Sequence, residues 1–371
     1  MEKEEGRENK FKACALKLLN RWFIEAFSGM AQGLFVTLIA GLIIKQIGIY
    51  IGENKFGLSL VAIGSIAMIL TGAGIGGGIA HALKANKLVI FASMVAGMVG
   101  ANTAAFNAEV LNPDNTIATI AAMIPLKGGD PIGAYVAALV AAEIGILLTG
   151  KTKGLDIIVL PLSVILTGLV ITIFICPFII DAINALSRAI FTATELKPFL
   201  MGIVISVVVG VLLTMPTSSA AICISLGLGG IVGGAAVVGC AAHMVGFAVM
   251  SFRENKFGGL IAQGLGTSML QIPNVMRKPV LLVPPIIASA IAGPLATVVF
   301  KLECTPAGSG MGTSGLVGVL QTIEASKSVM GAGKLAFAVI LLLFVMPAAI
   351  CLLVSEIMRK YNIIKYGDLK L

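Results

Sequence analysis

Charge is what this sequence has least of. Only 12% of its 371 residues are Asp, Glu, Lys or Arg, about half the share in an average soluble domain. A chain so poor in charge cannot cover a water-facing surface, which excludes an ordinary soluble globular protein. Histidine occurs twice and tryptophan once. The six cysteines (Cys14, Cys176, Cys223, Cys240, Cys304, Cys351) form no C-x-x-C pair, and only Cys240 has a histidine, His243, in ligand spacing. They read as small apolar fillers of a membrane protein on the reducing side, not as a metal or disulfide framework. Walker, H-E-x-x-H and G-x-S-x-G patterns are missing, and the G-x-G steps of 72–78 lie inside an apolar run with no strand ahead. No catalytic residue set, metal or cofactor is therefore expected. The opening MEKEEGRENKFK lacks a cleavable small-residue site, so the N-terminus is expected to be retained and cytoplasmic.

What is present is apolar: 58% hydrophobic residues, 44 glycines and a mean hydropathy of +1.03. Apolar runs recur from residue 24 to 356, so the expected fold is an all-α polytopic membrane protein with about ten transmembrane helices plus broken or re-entrant segments, taking roughly 20 apolar residues per span. The division expected is a cytoplasmic segment 1–23, a transmembrane transport domain 24–356 and a cytoplasmic tail 357–371. Spans fall near 24–44, 57–80, 88–106, 131–149, 155–180, 198–214, 279–300 and 334–356, and the Gly-rich 220–250 reads as two short helices or a span with a bend.

The net charge of +8 sits mostly in short connections and at the two ends, the positive-inside pattern of a membrane protein and no sign of nucleic acid. Lys84 with Lys87, Lys151 with Lys153, Arg253 with Lys256, and Arg277 with Lys278 mark cytoplasmic connections. Arg359, Lys360, Lys365 and Lys370 put the C-terminus on the same side, and 107–130 and 181–197 are left facing outward. Trp22 beside Arg21 reads as an interfacial aromatic, and His81 as interfacial.

Three segments at membrane depth mix Gly or Pro with uncharged polar groups: 100–117, TMPTSS at 214–219, and QGLGTSMLQIPNV at 263–275. Irregular backbone is tolerated there only where it is buried in protein or lines an aqueous cavity, and transporters build solute sites from such broken helices. Thr217, Ser218, Ser219, Thr267, Ser268, Gln271, Asn274, Asn102 and Asn107 supply the uncharged donors and acceptors that a sugar needs. Ionisable groups within spans are costly, which singles out Glu143, His243, Glu109 and Asp130; the capping role is the better reading of Asp156. His243 reads equally as a hydroxyl partner or as a structural bond between helices. The glycine steps of 71–85 and 229–243 are explained by close helix packing.

The runs MPTSSAAICISLGLGG, GGDPIGAYVAALVAAEIG and the long stretch from FRENKFGGLIAQGLGTSMLQIPNV to GMGTSGLVG resemble the EIIC permeases of the bacterial phosphoenolpyruvate-dependent sugar phosphotransferase system. The likeness is nearest to the branch that includes the perfringolysin O regulator-like proteins and covers about 20–356. It implies a homodimeric sugar or polyol permease of the bacterial cytoplasmic membrane, surrounded by lipid, with separate soluble EIIB and EIIA proteins docking on its cytoplasmic face. Sugar-transporting members of the fructose-type group carry a G-I-T-E-G-x-I-P-F motif with a Glu near the sugar. The matching stretch here is Gly266 to Asn274, and Met269 stands at the acidic position. A thioether is at best a weak acceptor, so two other readings stand beside the permease: a permease-like sensor or regulator without turnover, and an ion-coupled secondary transporter using Glu143 or Asp130.

Overall fold

The structure is a computed structural model that describes residues 17–104, 106, 129–152 and 154–371. Its elements are helices: α1 (Lys17–Ile51), α2 (Lys55–Ile69), α3 (Thr71–Ala82), α4 (Lys87–Ala101), α5 (Pro131–Leu148), α6 (Asp156–Phe174), α7 (Cys176–Thr194), α8 (Pro198–Thr214), α9 (Ser219–Ser225), α10 (Gly230–Met250), α11 (Phe252–Ile261), α12 (Ile272–Arg277), α13 (Pro279–Phe300), α14 (Pro306–Ser309), α15 (Val317–Ser326) and α16 (Ala332–Lys360). No strand occurs among the described residues; a single bridge joins Gly230 to Cys304. By length and composition α1, α5, α6, α7, α10, α13 and α16 can each cross a membrane, and α2 with α3 makes an eighth crossing if the pair is one span. The protein is thus an all-α polytopic membrane protein. Among the described residues, at roughly 20 residues per crossing, ten are counted if the bent pair and the shorter apolar helices α4 and α8 all cross.

Contacts divide the chain into two units. The first comprises Met1–Thr37 and Ile69–Pro177. Within it α3 packs on the start of α1 and on α4 through backbone-to-backbone contacts: a Cβ at Gly29 would collide with the Gly78 carbonyl, and one at Gly76 with the Ser93 carbonyl. Without a hydrophobic driving force in lipid, such close approach is how helices bind one another.

The second unit comprises Leu38–Met68 and Phe178–Leu371. Its centre is α10, buried along nearly its whole length, apolar and small all round as a helix enclosed by others must be. α8, α13 and α16 surround it. At Gly239 an added Cβ would meet the Ser206 carbonyl of α8. Two non-helical loops meet beside α10. One holds α9, the other runs from Leu302 to Leu316 through α14, and Ser219 Oγ donates to the Gly310 carbonyl across 2.8 Å.

Two expectations are revised. The stretch 57–80, expected as one span, is bent by 52° at Leu70, a broken span or a re-entrant loop; α2 packs its glycines on the second half of α1 while α3 packs on different partners, and hydropathy reads composition and not packing. Residues 181–194, expected within an outward connection, are helical in α7. Its Asp181, Asn184, Ser187 and Arg188 lower the hydropathy without breaking the helix. Asn107, Glu109 and Lys153 lie outside the described residues.

Candidate functional site

The site begins where α8 ends. Pro216 disfavours helical backbone at the residue before it, and Met215 is accordingly extended (φ −75°, ψ 160°). The chain then turns, and Thr217 Oγ1 donates 2.8 Å to the Leu212 carbonyl, one of the acceptors freed by the helix end. Ser218 is half-buried in this break and Ser219 is buried at the start of α9. Thr214, the last helical residue, carries a buried hydroxyl bridge. Its Oγ1 lies 2.8 Å from His243 Nδ1 and 2.9 Å from Ser268 Oγ. His243 is fully buried in α10, with Phe247 edge-on and 6.3 Å away. Its Nε2 has no hydrogen-bond partner among the described residues.

The segment 262–277 is irregular up to the start of α12. A π turn over Ala262–Gly266 gives way to extended Thr267 (φ −160°, ψ 146°) and a 3-10 turn over Ser268–Gln271. Pro273 then stands in the first turn of α12, where its missing N–H costs nothing. Thr267 Oγ1 accepts from the Met269 N–H at 3.2 Å and so caps the 3-10 turn. The loop beyond α14 supports the segment, with Thr313 Oγ1 donating to the Gly264 carbonyl (2.5 Å) and Ser314 Oγ to the Gly266 carbonyl (2.8 Å).

A chain of amides runs through the segment in one direction. Asn274 Nδ2 donates to Gln271 Oε1 (2.7 Å), Gln271 Nε2 to Gln263 Oε1 (2.9 Å), and Gln263 Nε2 to Ser251 Oγ (2.7 Å). Gln263 and Gln271 are fully buried and Asn274 nearly so. Buried amides held in this way are positioned as donors without the cost of unpaired polar groups. Met269 is buried beside them, and the nearest acid the sequence offers, Glu254, is engaged in a buried ion pair with Arg359 at 3.0 Å. Each amide of the row directs both its N–H groups at protein oxygens, and the row contains no carboxylate to take a proton from a hydroxyl.

The last residues of the chain close on this cluster. Gln271 Nε2 also donates to the Leu369 carbonyl and Asn274 Nδ2 to the Lys370 carbonyl, each at 2.9 Å. Lys278 Nζ pairs with Asp368 Oδ2 at 2.6 Å. Partial burial pushes the Asp368 carboxyl up, but the Lys278 ammonium, the Lys365 N–H and the Lys365 charge outweigh it and leave it below the ordinary range. Glu254, Asn255 and Lys278 therefore meet the tail on one side of the second unit.

Of the sequence-selected residues, the structure joins Thr267, Ser268, Gln271, Asn274 and His243 in adjoining networks of the second unit, with Thr217, Ser218 and Ser219 on the break after α8. Asn102 and Glu143 belong to the first unit. Asn102 follows α4 and donates to the Met98 carbonyl at 3.0 Å. Glu143 accepts from Arg21 Nε at 2.6 Å and from Trp22 Nε1 at 3.1 Å. Asp130 caps α5 by accepting the Gly133 N–H at 2.9 Å; burial pushes its carboxyl up against the lowering effect of the Gly133 and Ile132 N–H groups. Asn107 lies outside the described residues.

Sequence reasoning missed Thr214, Asn255 and Gln263. Gln263 opens the polar run that holds Gln271 and Asn255 precedes it across the apolar FGGLIA, so a search for amides in and just ahead of the irregular segment would have found them. It also missed a cleft of about 580 Å³ lined by Asn184, Ser187, Arg188, Phe191, Thr192 and Leu226. Among the described residues no group of three His, Cys, Asp or Glu side chains forms a metal site.

Compared with known proteins, the sequence matches the family described as "Phosphotransferase system, EIIC" over residues 24–371. No curated protein matches it significantly.

Proposed function

Because that match takes in nearly the whole chain, the protein belongs to the phosphotransferase system EIIC family, and from this premise we propose that it binds a sugar or polyol through the uncharged groups of its second unit and carries it across the bacterial cytoplasmic membrane. The observation that carries the reading is the irregular segment 262–277, in which Thr267, Ser268, Gln271 and Asn274 are gathered with every amide oriented by a neighbour. Sugars are recognised by many neutral hydrogen bonds, and preorganised amides and hydroxyls supply them without the desolvation cost of a buried charge. Thr217, Ser218 and Ser219 line the break opposite, and His243 orients Ser268 through Thr214.

Phosphoryl transfer to the solute needs soluble EIIB and EIIA proteins, and the basic connections with Arg253, Lys256, Arg277 and Lys278 suit an acidic or phosphorylated partner. Those connections are cytoplasmic in our reading, as are both termini, and the protein works as a homodimer in lipid. Uptake of a panel of radiolabelled hexoses and hexitols into proteoliposomes, wild type against Asn274→Ala, tests the assignment. Uptake should fall at least about tenfold, the cost of one hydrogen bond of about 1.4 kcal/mol; equal transport of every sugar by both proteins removes Asn274 from the site.

One observation favours a second reading. Met269 occupies the position where the fructose-type motif has its acid, and the described amide chain contains no carboxylate to replace it. A permease-like sensor that binds solute without turnover accounts for that, and binding without flux in the same liposomes would select it.

A further inference from the structure

The segment 361–371 leaves the end of α16 as a series of turns, yet it is among the firmly held parts of the second unit. Ile364 and Leu369 are buried in an apolar cluster with Phe247, Met250, Val275 and Leu281. Around that anchor the segment makes directional bonds. Asn255 Nδ2 donates to the Leu369 carbonyl at 2.8 Å while Asn255 Oδ1 accepts from the Leu371 N–H at 2.9 Å. Gln271 and Asn274 donate to the carbonyls of Leu369 and Lys370. Asp368 is latched to Lys278.

Three features set this apart from an ordinary docked terminus. The two carbonyl oxygens take up N–H donors of Gln271 and Asn274 that the proposed solute would use, so the segment and a polyol compete for the same hydrogen bonds. Lys256, next to Asn255, has a positive φ of 51° with ψ −151°, a backbone conformation that a non-glycine residue rarely adopts, beside the amide that holds the segment. The outer bond is an ion pair whose partners are each more than a quarter exposed, which a competing charge can reach.

We infer that residues 362–371 are an autoinhibitory lid, a built-in competitor whose Leu369 and Lys370 carbonyls fill the acceptor positions of the solute and which must lift for Gln271 and Asn274 to engage it. The inference rests on the permease reading only for the identity of what replaces the lid. Because binding to a state that is open for a fraction of the time is weakened by that fraction, loosening the latch strengthens solute binding. An acidic or phosphorylated partner surface competing for Lys278 is the natural opener.

The test needs no known solute. Asn274→Cys is introduced alone, with Asp368→Lys, and with residues 362–371 deleted, and the rate of labelling by a membrane-impermeant maleimide is measured in proteoliposomes, subtracting the parent chain's own cysteines. The thiol should react at least about tenfold faster in both opened variants; equal rates in all three overturn the lid. The charge change at partly exposed Asp368 keeps the test valid if the deletion does not fold. In the second arm, Lys278→Cys with Asp368→Cys is bridged by a reducible bifunctional thiosulfonate, and the sugar panel is assayed before and after reduction. Uptake blocked by the bridge and restored by reductant supports the lid, and uptake indifferent to the bridge overturns it. Failure of Asn274→Ala to alter any sugar's uptake counts against the permease site alone, since the labelling rates do not depend on it.

Discussion

Gln271 Nε2 lies 2.9 Å from Gln263 Oε1 and 2.9 Å from the Leu369 carbonyl, a residue 98 positions away in sequence. One buried amide therefore ties the irregular segment both to its own beginning and to the end of the chain. Its neighbours leave it no freedom to flip: Oε1 receives Asn274 Nδ2, and both its N–H groups are directed at oxygens. Rotation of any one amide in the row from Asn274 to Ser251 would set N–H against N–H or oxygen against oxygen.

Gln263→Leu breaks this row at its centre. Gln271 then loses an acceptor and Ser251 a donor, both inside the protein. A buried polar group left without a partner costs about 1–3 kcal/mol, and thermal unfolding in detergent should show a loss of that size. A double-mutant cycle with Asn274→Ala should give a coupling energy beyond about 0.5 kcal/mol. Strict additivity would mean that the amides are neighbours without being a network.

The Thr214 hydroxyl joins His243 to Ser268, three residues from three separate stretches of chain. Thr214→Val keeps shape and removes the bridge, whereas Thr214→Ser keeps the bridge. The first should lower sugar affinity about tenfold by freeing Ser268, for the loss of about 1.4 kcal/mol of hydrogen bonding; the second should restore it to within about threefold. Equal binding by both variants would reduce the bridge to a packing detail.

The sequence made the all-α membrane class legible because composition alone settles it, and Pro216 and Pro273 marked the two backbone interruptions because proline acts locally. Gln271 and Asn274 were legible as uncharged groups in an apolar setting. Their real partners were not, since Leu369 and Lys370 contribute backbone carbonyls, which every residue has and no pattern reveals. Glu143 was flagged as a costly intramembrane acid; that Arg21 and Trp22 neutralise it depends on α1 lying against α5, a tertiary fact. The break at Leu70 and the helicity of 181–194 escaped for the same reason: hydropathy averages over a window and does not register what each helix packs on.

Lowering the pH should release the lid. Asp368 is held below the ordinary carboxylate range chiefly because Lys278 and the Lys365 N–H outweigh its partial burial. A depressed carboxyl contributes its stabilisation above the free-chain value of about 3.9 and loses it as the pH falls through the lower value of the docked state. Hydrogen exchange of residues 362–371 should therefore be slow and nearly constant from neutral pH down to about 4, after correction for intrinsic rates, and accelerate below it. Asp368→Asn should show fast exchange throughout and no such step. A step that persists in Asp368→Asn would assign the transition to another group.

Glu143 is one of the two acids, with Asp130, on which ion coupling would rest. Its carboxylate takes two bonds from the Arg21 guanidinium, Nε to Oε1 at 2.6 Å and Nη2 to Oε2 at 3.2 Å, and a third from Trp22 Nε1. A coupling carboxylate must exchange its ion in each cycle. This one would have to give up a forked guanidinium, the strongest kind of side-chain partner, on every turnover. We therefore expect sugar uptake in proteoliposomes to be indifferent to collapse of either a proton or a sodium gradient. Glu143→Gln should leave that indifference unchanged while lowering thermal stability by about 1.5–3 kcal/mol, the range for a hydrogen bond to a charged group, and Arg21→Gln should do the same. The pair should then behave as a clamp between α1 and α5 of the first unit. Gradient-driven uptake in the wild type that disappears in Glu143→Gln at unchanged stability would reverse the conclusion and make Arg21 the group that resets the carboxylate between cycles.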